Sequence, residues 1–212
     1  GHGTHVAGTI GAVGDNGVGI TGVSQQVRLM GLKFIGADGS GTAADAVSAI
    51  LYAAANGADV TNNSYGGDGF SQAMFDAINA CPGSLFVFAA GNDGTNNDSF
   101  PAYPCSYPAD NIVCVAATDS GDSLAFFSNY GVNSVDIAAP GYQIYSTLPG
   151  ASYGYSSGTS MAAPHVTGAA ALVLADRAGL TTSELRRALL LAADPRASLT
   201  GFVATGGRLN VR

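Results

Sequence analysis

The chain has 212 residues, of which 47% are hydrophobic and 11% are charged, and its formal net charge is −7. A chain of this length can bury one large core, and we expect a single domain over residues 1–212. A chain with this net negative charge has no basic surface of the kind that binds nucleic acid or an anionic membrane. No uninterrupted apolar run approaches the roughly 18 residues that a membrane-spanning helix needs.

Two histidines near the start of the chain, His2 and His5, have the i, i+3 spacing of one helix face. Zinc binding would need an HExxH motif or a third ligand nearby, and neither is present in the sequence. Imidazole titrates near neutral pH, so His2, at the predicted helix start, is the better candidate for a general base. We predict a structural, hydrogen-bonded role for His5, which points into the helix packing.

The next stretch, residues 13–20, is rich in glycine and contains one carboxylate and one side-chain amide. A loop whose only ligands are oxygen atoms suits Ca²⁺. The same Asp-Asn-Gly composition is also typical of ordinary turns, and no EF-hand spacing is present. The residues alone therefore leave a calcium loop and a simple turn as alternatives.

Apolar strands alternate with helices along most of the chain, which predicts βαβ units around a mostly parallel sheet. The predicted elements are a strand at 27–35, a helix at 43–56, a strand at 58–64, a helix at 71–80, strands at 84–90, 111–118 and 134–138, a hairpin over 143–156, a helix from 182 to 193 and a strand at 206–211. Chemistry in such sheets gathers at the carboxyl ends of the strands, where Ser64 and Asn92 are placed.

A second candidate for chemistry is Ser160, which precedes the apolar run 166–175. That run has no polar face and predicts a helix that is buried on all sides. Because Pro164 lacks an N–H, we expect it in the first turn, so that the helix begins near Ser160. A hydroxyl beside the free N–H groups of a helix start suits a nucleophile. A serine that merely caps a core helix is the alternative.

The three cysteines match no zinc-binding spacing. Cys105 and Cys114 flank a turn region and could close a short loop, which would leave Cys81 unpaired. Three buried thiols are the alternative interpretation.

Four motifs along the chain resemble those of the subtilisin-like serine peptidases. They are HGTHVAGT at 2–9, NNSYGG at 62–67, AAGN at 89–92 and GTSMAAPHV at 158–166. The resemblance implies a three-layer α/β/α fold with a mostly parallel sheet, and a secreted, monomeric endopeptidase that acts on protein and peptide substrates and is made with an N-terminal propeptide. An inactive binding module is the alternative function. An α/β-hydrolase esterase is excluded because its motif requires glycine at position 162, which is alanine.

The resemblance also implies roles for individual residues. Ser160 is the nucleophile, His2 is the general base, and the Asn92 side chain binds the oxyanion together with the Ser160 N–H. The resemblance further implies that two strands bind the substrate backbone, at Gly39, Ser40, Gly41, Ser64, Tyr65 and Gly66. It implies a pocket for the residue before the scissile bond, lined by Ala89, Ala90, Gly91 and Ala102. It also implies structural Ca²⁺ ligands at Val13, Asn16, Val18 and Ile20. This small, uncharged pocket predicts a preference for apolar or aromatic side chains.

The sequence departs from the family pattern at the catalytic acid. The family places this aspartate on a strand before the histidine motif, whereas only Gly1 precedes His2 here. We therefore expect the strand that carries the acid to be missing from this chain, and the chain alone to be weakly active or inactive. Asp119 begins a stretch that imitates the aspartate motif, but it follows the histidine, and we reject it.

Overall fold

The computed structural model describes residues 1–211. In chain order its elements are α1 (His2–Gly11), α2 (Ala43–Ala55), β1 (Val60–Asn63), α3 (Gln72–Asn79), β2 (Leu85–Ala89), β3 (Ile112–Thr118), β4 (Ile137–Pro140), β5 (Ile144–Leu148), β6 (Ser152–Ser156), α4 (Thr159–Asp176), α5 (Thr182–Leu191), β7 (Asp194–Pro195), a 3₁₀-helix (Ala197–Leu199) and β8 (Gly207–Arg208). Within these residues, no helix is both long enough and apolar enough to traverse a lipid bilayer.

The main sheet has six strands in the order β1-β2-β3-β4-β8-β7. All neighbours in it are parallel except β7, which pairs antiparallel with β8. Every residue of β2 and β3 is buried, as expected for central strands that are covered on both faces. The predicted mostly parallel α/β sheet is confirmed.

Helices cover both faces of this sheet. Successive residues of β2 point to opposite sides, so that Phe86 and Phe88 pack with α2 and α3, whereas Leu85 and Val87 pack with α4 and α5. The result is the predicted three-layer α/β/α arrangement. A separate antiparallel hairpin, β5–β6, leads into α4, also as predicted.

The strand predicted at 27–35 is wrong, because no residue of that segment belongs to a strand. Two of its apolar side chains, Leu29 and Met30, are 49% and 46% exposed. A strand is stabilised only by pairing with a neighbour. In the described part of the chain, β1 ends the sheet and pairs with β2 alone. The remaining predicted elements are present, with ends shifted by a few residues.

Helix α1 approaches its neighbours closely because small residues face them. A Cβ added at Gly8 would overlap the Thr147 hydroxyl and lie 2.6 Å from the Ser146 hydroxyl on the hairpin. On α4, a Cβ added at Gly168 would lie 3.2 Å from the carbonyl oxygen of Ile10. The lack of side chains at these two positions therefore determines how closely α1 packs against the hairpin and against α4.

We predict that Gly8→Ala lowers the free energy of unfolding by about 1–3 kcal/mol, because the added methyl group must push α1 away from the hairpin. Gly3→Ala is the matched control, since it makes the same change in the same helix with no atom within 4 Å of the new Cβ. Thermal unfolding of both variants measures the difference. Equal melting temperatures would show that this close approach is not needed.

An ion pair ties α5 to the sheet. The Arg186 guanidinium contacts Asp136, and its Nε donates to the Ile112 carbonyl at 2.7 Å. The other carboxylate oxygen of Asp136 accepts from the Cys114 N–H at 2.8 Å. Burial raises the pKa of Asp136, while the Arg186 charge opposes that rise. The pair thus offsets the cost of a mostly buried carboxylate just before β4.

Replacement of Arg186 by Met should lower the free energy of unfolding by about 1–3 kcal/mol, because it leaves a buried carboxylate without its cation. Arg187→Met is the control, since Arg187 is exposed and forms no ion pair within residues 1–211. The loss should shrink as the pH falls through the raised pKa of Asp136, because a protonated carboxyl carries no unpaired charge. Chemical denaturation at several pH values tests both points.

Candidate active site

Ser160 is the second residue of α4 and follows Gly158, whose φ of 154° turns the chain into the helix. Among the described residues, its N–H has no hydrogen-bond acceptor, as expected for a group in the first turn of a helix. Its hydroxyl donates to the Ser64 carbonyl at 3.3 Å. A nucleophile and an unused backbone donor therefore belong to the same residue.

Pro164 lies inside α4 rather than in its first turn, so that part of the sequence prediction is wrong. A proline at this place cannot donate to the Ser160 carbonyl. The Ser64 hydroxyl donates to that carbonyl instead, at 2.8 Å. Asn62 donates to the Ser64 hydroxyl at 2.9 Å and accepts from Thr167 at 3.0 Å. The missing helix bond is thus replaced by a chain of side chains that fixes the backbone of Ser160.

The Asn92 side chain is held with its oxygen toward α4. Its Oδ1 accepts from the Thr159 N–H at 2.8 Å, and the Thr159 hydroxyl lies 3.1 Å from the same oxygen. Because a backbone N–H can only donate, the atom that faces it must be the amide oxygen. The NH₂ group therefore points the other way and has no partner within the described part of the chain. Asn92 is exposed, so this donor is open to a ligand.

His2 is the first residue of α1 and is exposed. Its ring makes no hydrogen bond or ion pair with any residue that the structure describes. Desolvation by surrounding atoms lowers the pKa of His2, and the charges of His5 and of the amino terminus lower it further. A lowered pKa keeps the imidazole neutral near pH 7, which is the state that a general base requires.

Helices α1 and α4 place His2 and Ser160 at the same end of the molecule. Met161 packs with Val6 and Ile10 of α1, and Gly168, further along α4, lies next to the carbonyl of Ile10. This order of contacts means that the two helices run in the same direction. His2 and Ser160, in the first turns of these two helices, therefore lie toward the same end of the helix pair.

His5 has the structural role that the sequence predicted. It is 1% exposed, and its Nε2 lies 3.0 Å from the Ile144 carbonyl and 3.2 Å from the Gly154 carbonyl. Both carbonyls belong to the β5–β6 hairpin, so His5 connects α1 to the segment that leads into α4. Its Nδ1 is buried without a partner among residues 1–211.

Part of the predicted substrate-binding surface forms one groove. Gly41, Tyr65 and Gly66 all line it, and the Tyr65 ring packs edge-on against Phe34 with 4.8 Å between ring centroids. The other predicted positions do not line this groove. Gly39 and Ser40 form an exposed turn before Gly41, and Ser64 contacts Ser160. Of the predicted pocket residues, Ala89 and Ala90 are buried at the end of β2, Gly91 follows them, and Ala102 is half-buried in another loop.

The candidate calcium loop is mostly exposed, with Val13 and Val18 each 63% accessible. Asn16 Oδ1 accepts from the Val18 N–H at 2.9 Å, and the loop ends at Ile20. Its carbonyl and amide oxygens are of the type that Ca²⁺ binds. No cluster of three or more His, Cys, Asp or Glu side chains suited to a metal is found in residues 1–211. The donor type therefore fits calcium, and the ligand set stays a prediction.

The structure decides between the two interpretations of the cysteines. Cys105 and Cys114 form a disulfide that ties the loop after β2 to strand β3. Cys81 is a free, buried thiol, and burial raises its pKa.

Three residues that support the site were missed from the sequence. Thr159 orients Asn92, while Asn97 and Asn129 are buried polar residues behind the Asn92 loop. Thr159 could have been suspected from its position next to Ser160. The two asparagines belong to no motif that we recognised and are far apart in the sequence.

Together, these groups have the geometry of a serine hydrolase site. The Ser160 hydroxyl belongs to the same residue as a free backbone N–H at a helix start. The free NH₂ of Asn92 lies near that N–H, because a Cβ added at Gly158 would lie 3.6 Å from Ser160 N and 3.7 Å from Asn92 Nδ2. Two such donors next to a nucleophile can receive the negative charge that develops on an acyl-transfer oxygen.

Comparison with known proteins identifies the family. The profile of the Subtilase family matches residues 1–206, and the chain belongs to this family. It is 44% identical to a thermophilic serine proteinase of Bacillus sp. (strain AK1), over 99% of this chain and 50% of that protein. It is 41% identical to thermitase of Thermoactinomyces vulgaris, over 99% of this chain and 73% of that protein.

A solved structure shares the fold. A protease from Pseudoalteromonas arctica superimposes with a TM-score of 0.88 and 34% identity, over 99% of this chain and 68% of that one. The chain therefore spans between half and about three quarters of the length of these relatives.

Proposed function

We propose that this chain forms the catalytic part of a serine endopeptidase. The observation that carries the proposal is the pair of unused donors, Ser160 N–H and Asn92 Nδ2, beside the Ser160 hydroxyl. Ser160 attacks the peptide carbonyl, and His2 takes its proton and later gives it to the leaving amine. The two donors bind the oxyanion, and water then hydrolyses the acyl-enzyme.

The surroundings of Ser160 suit this reaction because they hold its backbone from two sides. Ser64 binds the Ser160 carbonyl, and Asn92 binds the N–H of Thr159. Catalysis then requires the Ser160 hydroxyl to leave the Ser64 carbonyl, to which it donates at 3.3 Å. Donors held rigidly in this way stabilise a developing charge without having to reorganise.

We also propose that the acid that orients His2 lies outside residues 1–212. No carboxylate in the described residues binds the His2 ring, and the relatives are longer than this chain. In subtilisin, a member of the same family, loss of this aspartate alone lowers kcat by about 3 × 10⁴-fold. Residues 1–212 alone are therefore weakly active at most.

Calcium binding, secretion and a propeptide are further features that we propose from membership of the family. Val13, Asn16, Val18 and Ile20 would hold a structural Ca²⁺, which would brace the loop after α1 without taking part in the chemistry. The enzyme is secreted, acts as a monomer on proteins and peptides, and is made with a propeptide. A catalytically inactive binding module is the alternative, and it is disfavoured because His2, Asn92 and Ser160 are all present.

A fluorophosphonate probe tests the activity in the protein of full natural length. We expect the Ser160 hydroxyl to displace fluoride from phosphorus, with His2 taking the proton, so that Ser160 becomes labelled. Ser160→Ala should abolish labelling and peptide hydrolysis. Ser157→Ala is the matched control because this neighbouring hydroxyl serves only the Gln143 N–H. Absence of labelling in the unsubstituted protein would support the inactive module.

Specificity is tested with peptides that differ only in the residue before the scissile bond. Ala89, Ala90, Gly91 and Ala102 provide no carboxylate, so we expect kcat/KM for Phe or Leu to exceed that for Arg by roughly 10-fold or more. A peptide with paired basic residues serves as the comparison. Its faster hydrolysis would overturn the assignment of an apolar pocket.

A further inference from the structure

We propose that two buried asparagines, Asn97 and Asn129, are positioning residues that hold the Asn92 carboxamide where the oxyanion forms. This inference rests on the proposed peptidase function and adds two residues to the machinery of the same site. They act through the backbone of the Asn92 loop rather than by touching substrate.

The loop that carries Asn92 needs such support because it has little secondary structure of its own. It follows directly after β2, and Asn92, Asp93 and Gly94 are all exposed. Gly91 has φ of +113°, a conformation that favours glycine. The backbone N–H and C=O groups of this loop can be fixed only by hydrogen-bond partners from elsewhere in the chain.

Asn129 supplies these partners on both sides of Asn92. Its Oδ1 accepts from the Asp93 N–H at 2.8 Å and from the Thr95 N–H at 3.2 Å. Its own backbone N–H donates to the Gly91 carbonyl at 3.0 Å. A single residue thus holds the chain immediately before and immediately after the proposed oxyanion donor.

Asn97 completes the arrangement from the other end of the loop. Its Oδ1 accepts from Asn129 Nδ2 at 3.0 Å, and its own Nδ2 donates to the Ala90 carbonyl at 2.8 Å. Its backbone N–H donates to the Tyr130 carbonyl. The two carboxamides therefore connect the residue that precedes the loop to the residues that follow Asn92.

Burial makes this pair rigid. Asn97 and Asn129 are each 1% exposed, and a buried amide that loses a partner cannot replace it with water. Asn129 also packs directly on Gly91, where an added Cβ would overlap the carboxamide and lie 2.9 Å from its Cγ. Any shift of one group must therefore move the other.

The loop is consequently held from two directions. Thr159 fixes the oxygen of the Asn92 side chain, and Asn129 fixes the backbone on either side of it. If the Asn129 carboxamide is lost, Gly91 keeps its bonds to the backbone N–H of residue 129 and to the Thr159 hydroxyl. The N–H groups of Asp93 and Thr95 lose their acceptor, so the backbone that follows Asn92 can move. A displacement of about 1 Å at a catalytic group can cost roughly 100-fold in rate.

The test replaces each asparagine by leucine, which has a similar shape and forms no hydrogen bond, in the protein of full natural length. We expect Asn129→Leu and Asn97→Leu to lower kcat by about 10–100-fold while KM changes by less than about twofold. The loss of kcat should not exceed the loss caused by removing the oxyanion donor, which is about 10²–10³-fold in subtilisin, a member of the same family. Asn97→Ser, a smaller change, is used if the leucine variants do not fold.

A double-mutant cycle separates positioning from general damage. In an Asn92→Ala background the donor is already absent, so Asn129→Leu should cause little further loss of kcat. Equal losses in both backgrounds would mean that Asn129 does not act through Asn92, and the inference would then be wrong.

Asn111→Leu is the matched control. Asn111 is a buried asparagine, 7% exposed, whose amide donates to the carbonyls of Ile78 and Cys81 at 3.0 and 3.2 Å. It directly precedes β3, at the amino ends of the strands, whereas the candidate site lies at their carboxyl ends. This variant should lose thermal stability but keep kcat, and an equal loss of kcat there would overturn the inference.

Hydrogen exchange of the loop gives a readout that does not require activity. The amides of Asp93 and Thr95 should exchange faster in Asn129→Leu than in the unsubstituted protein, and unchanged protection would contradict the inference. If the unsubstituted protein neither hydrolyses peptides nor reacts with the fluorophosphonate, the proposed function fails. Such a failure is distinct from retained kcat in the asparagine variants, which overturns only the positioning role.

Discussion

The hydrogen bond from the Thr159 N–H to Asn92 Oδ1 joins the two halves of the candidate site. One half is the loop after β2, and the other is the first turn of α4. Because this bond occupies the oxygen end of the carboxamide, it leaves the NH₂ end free. This NH₂ and the free N–H of Ser160 both lie next to Gly158. The chemical asymmetry of one amide therefore determines which of its two ends is free to bind a ligand.

The rest of the fold keeps that bond in place. The first part of helix α4 is buried between the sheet and α1. Gly168 allows α1 to approach α4, and Gly8 allows α1 to approach the hairpin that leads into α4. Pro164 removes one hydrogen bond of the helix, and the Ser64 hydroxyl donates to the Ser160 carbonyl that the proline leaves free. On the other side, Asn97 and Asn129 hold the Asn92 loop. Both groups of the proposed oxyanion site are thus supported by side chains that are remote in sequence.

Features that depend on neighbouring residues could be predicted from the sequence. The central strands, the helix ending before Gly57, the capping box at Thr181 and the candidates His2, Asn92 and Ser160 all carry local signals. Features that depend on a distant partner could not. Segment 27–35 has the composition of a strand, yet pairing decides whether it is one, and the sheet of the described residues ends at β1. Pro164 was misplaced because its compensating partner, Ser64, lies on another element.

One physical reason separates the features that the sequence predicts from those that only the tertiary structure decides. Periodicity, caps and motif letters are properties of residues within about one helical turn of each other, so the sequence by itself determined the α/β class, the family resemblance and the chemical groups of the site. Hydrogen bonds between side chains and remote backbone depend on the path of the whole chain. Only the tertiary structure decided the orientation of the Asn92 amide, the binding of the Ser160 carbonyl by Ser64, and the burial of Asn97 against Asn129.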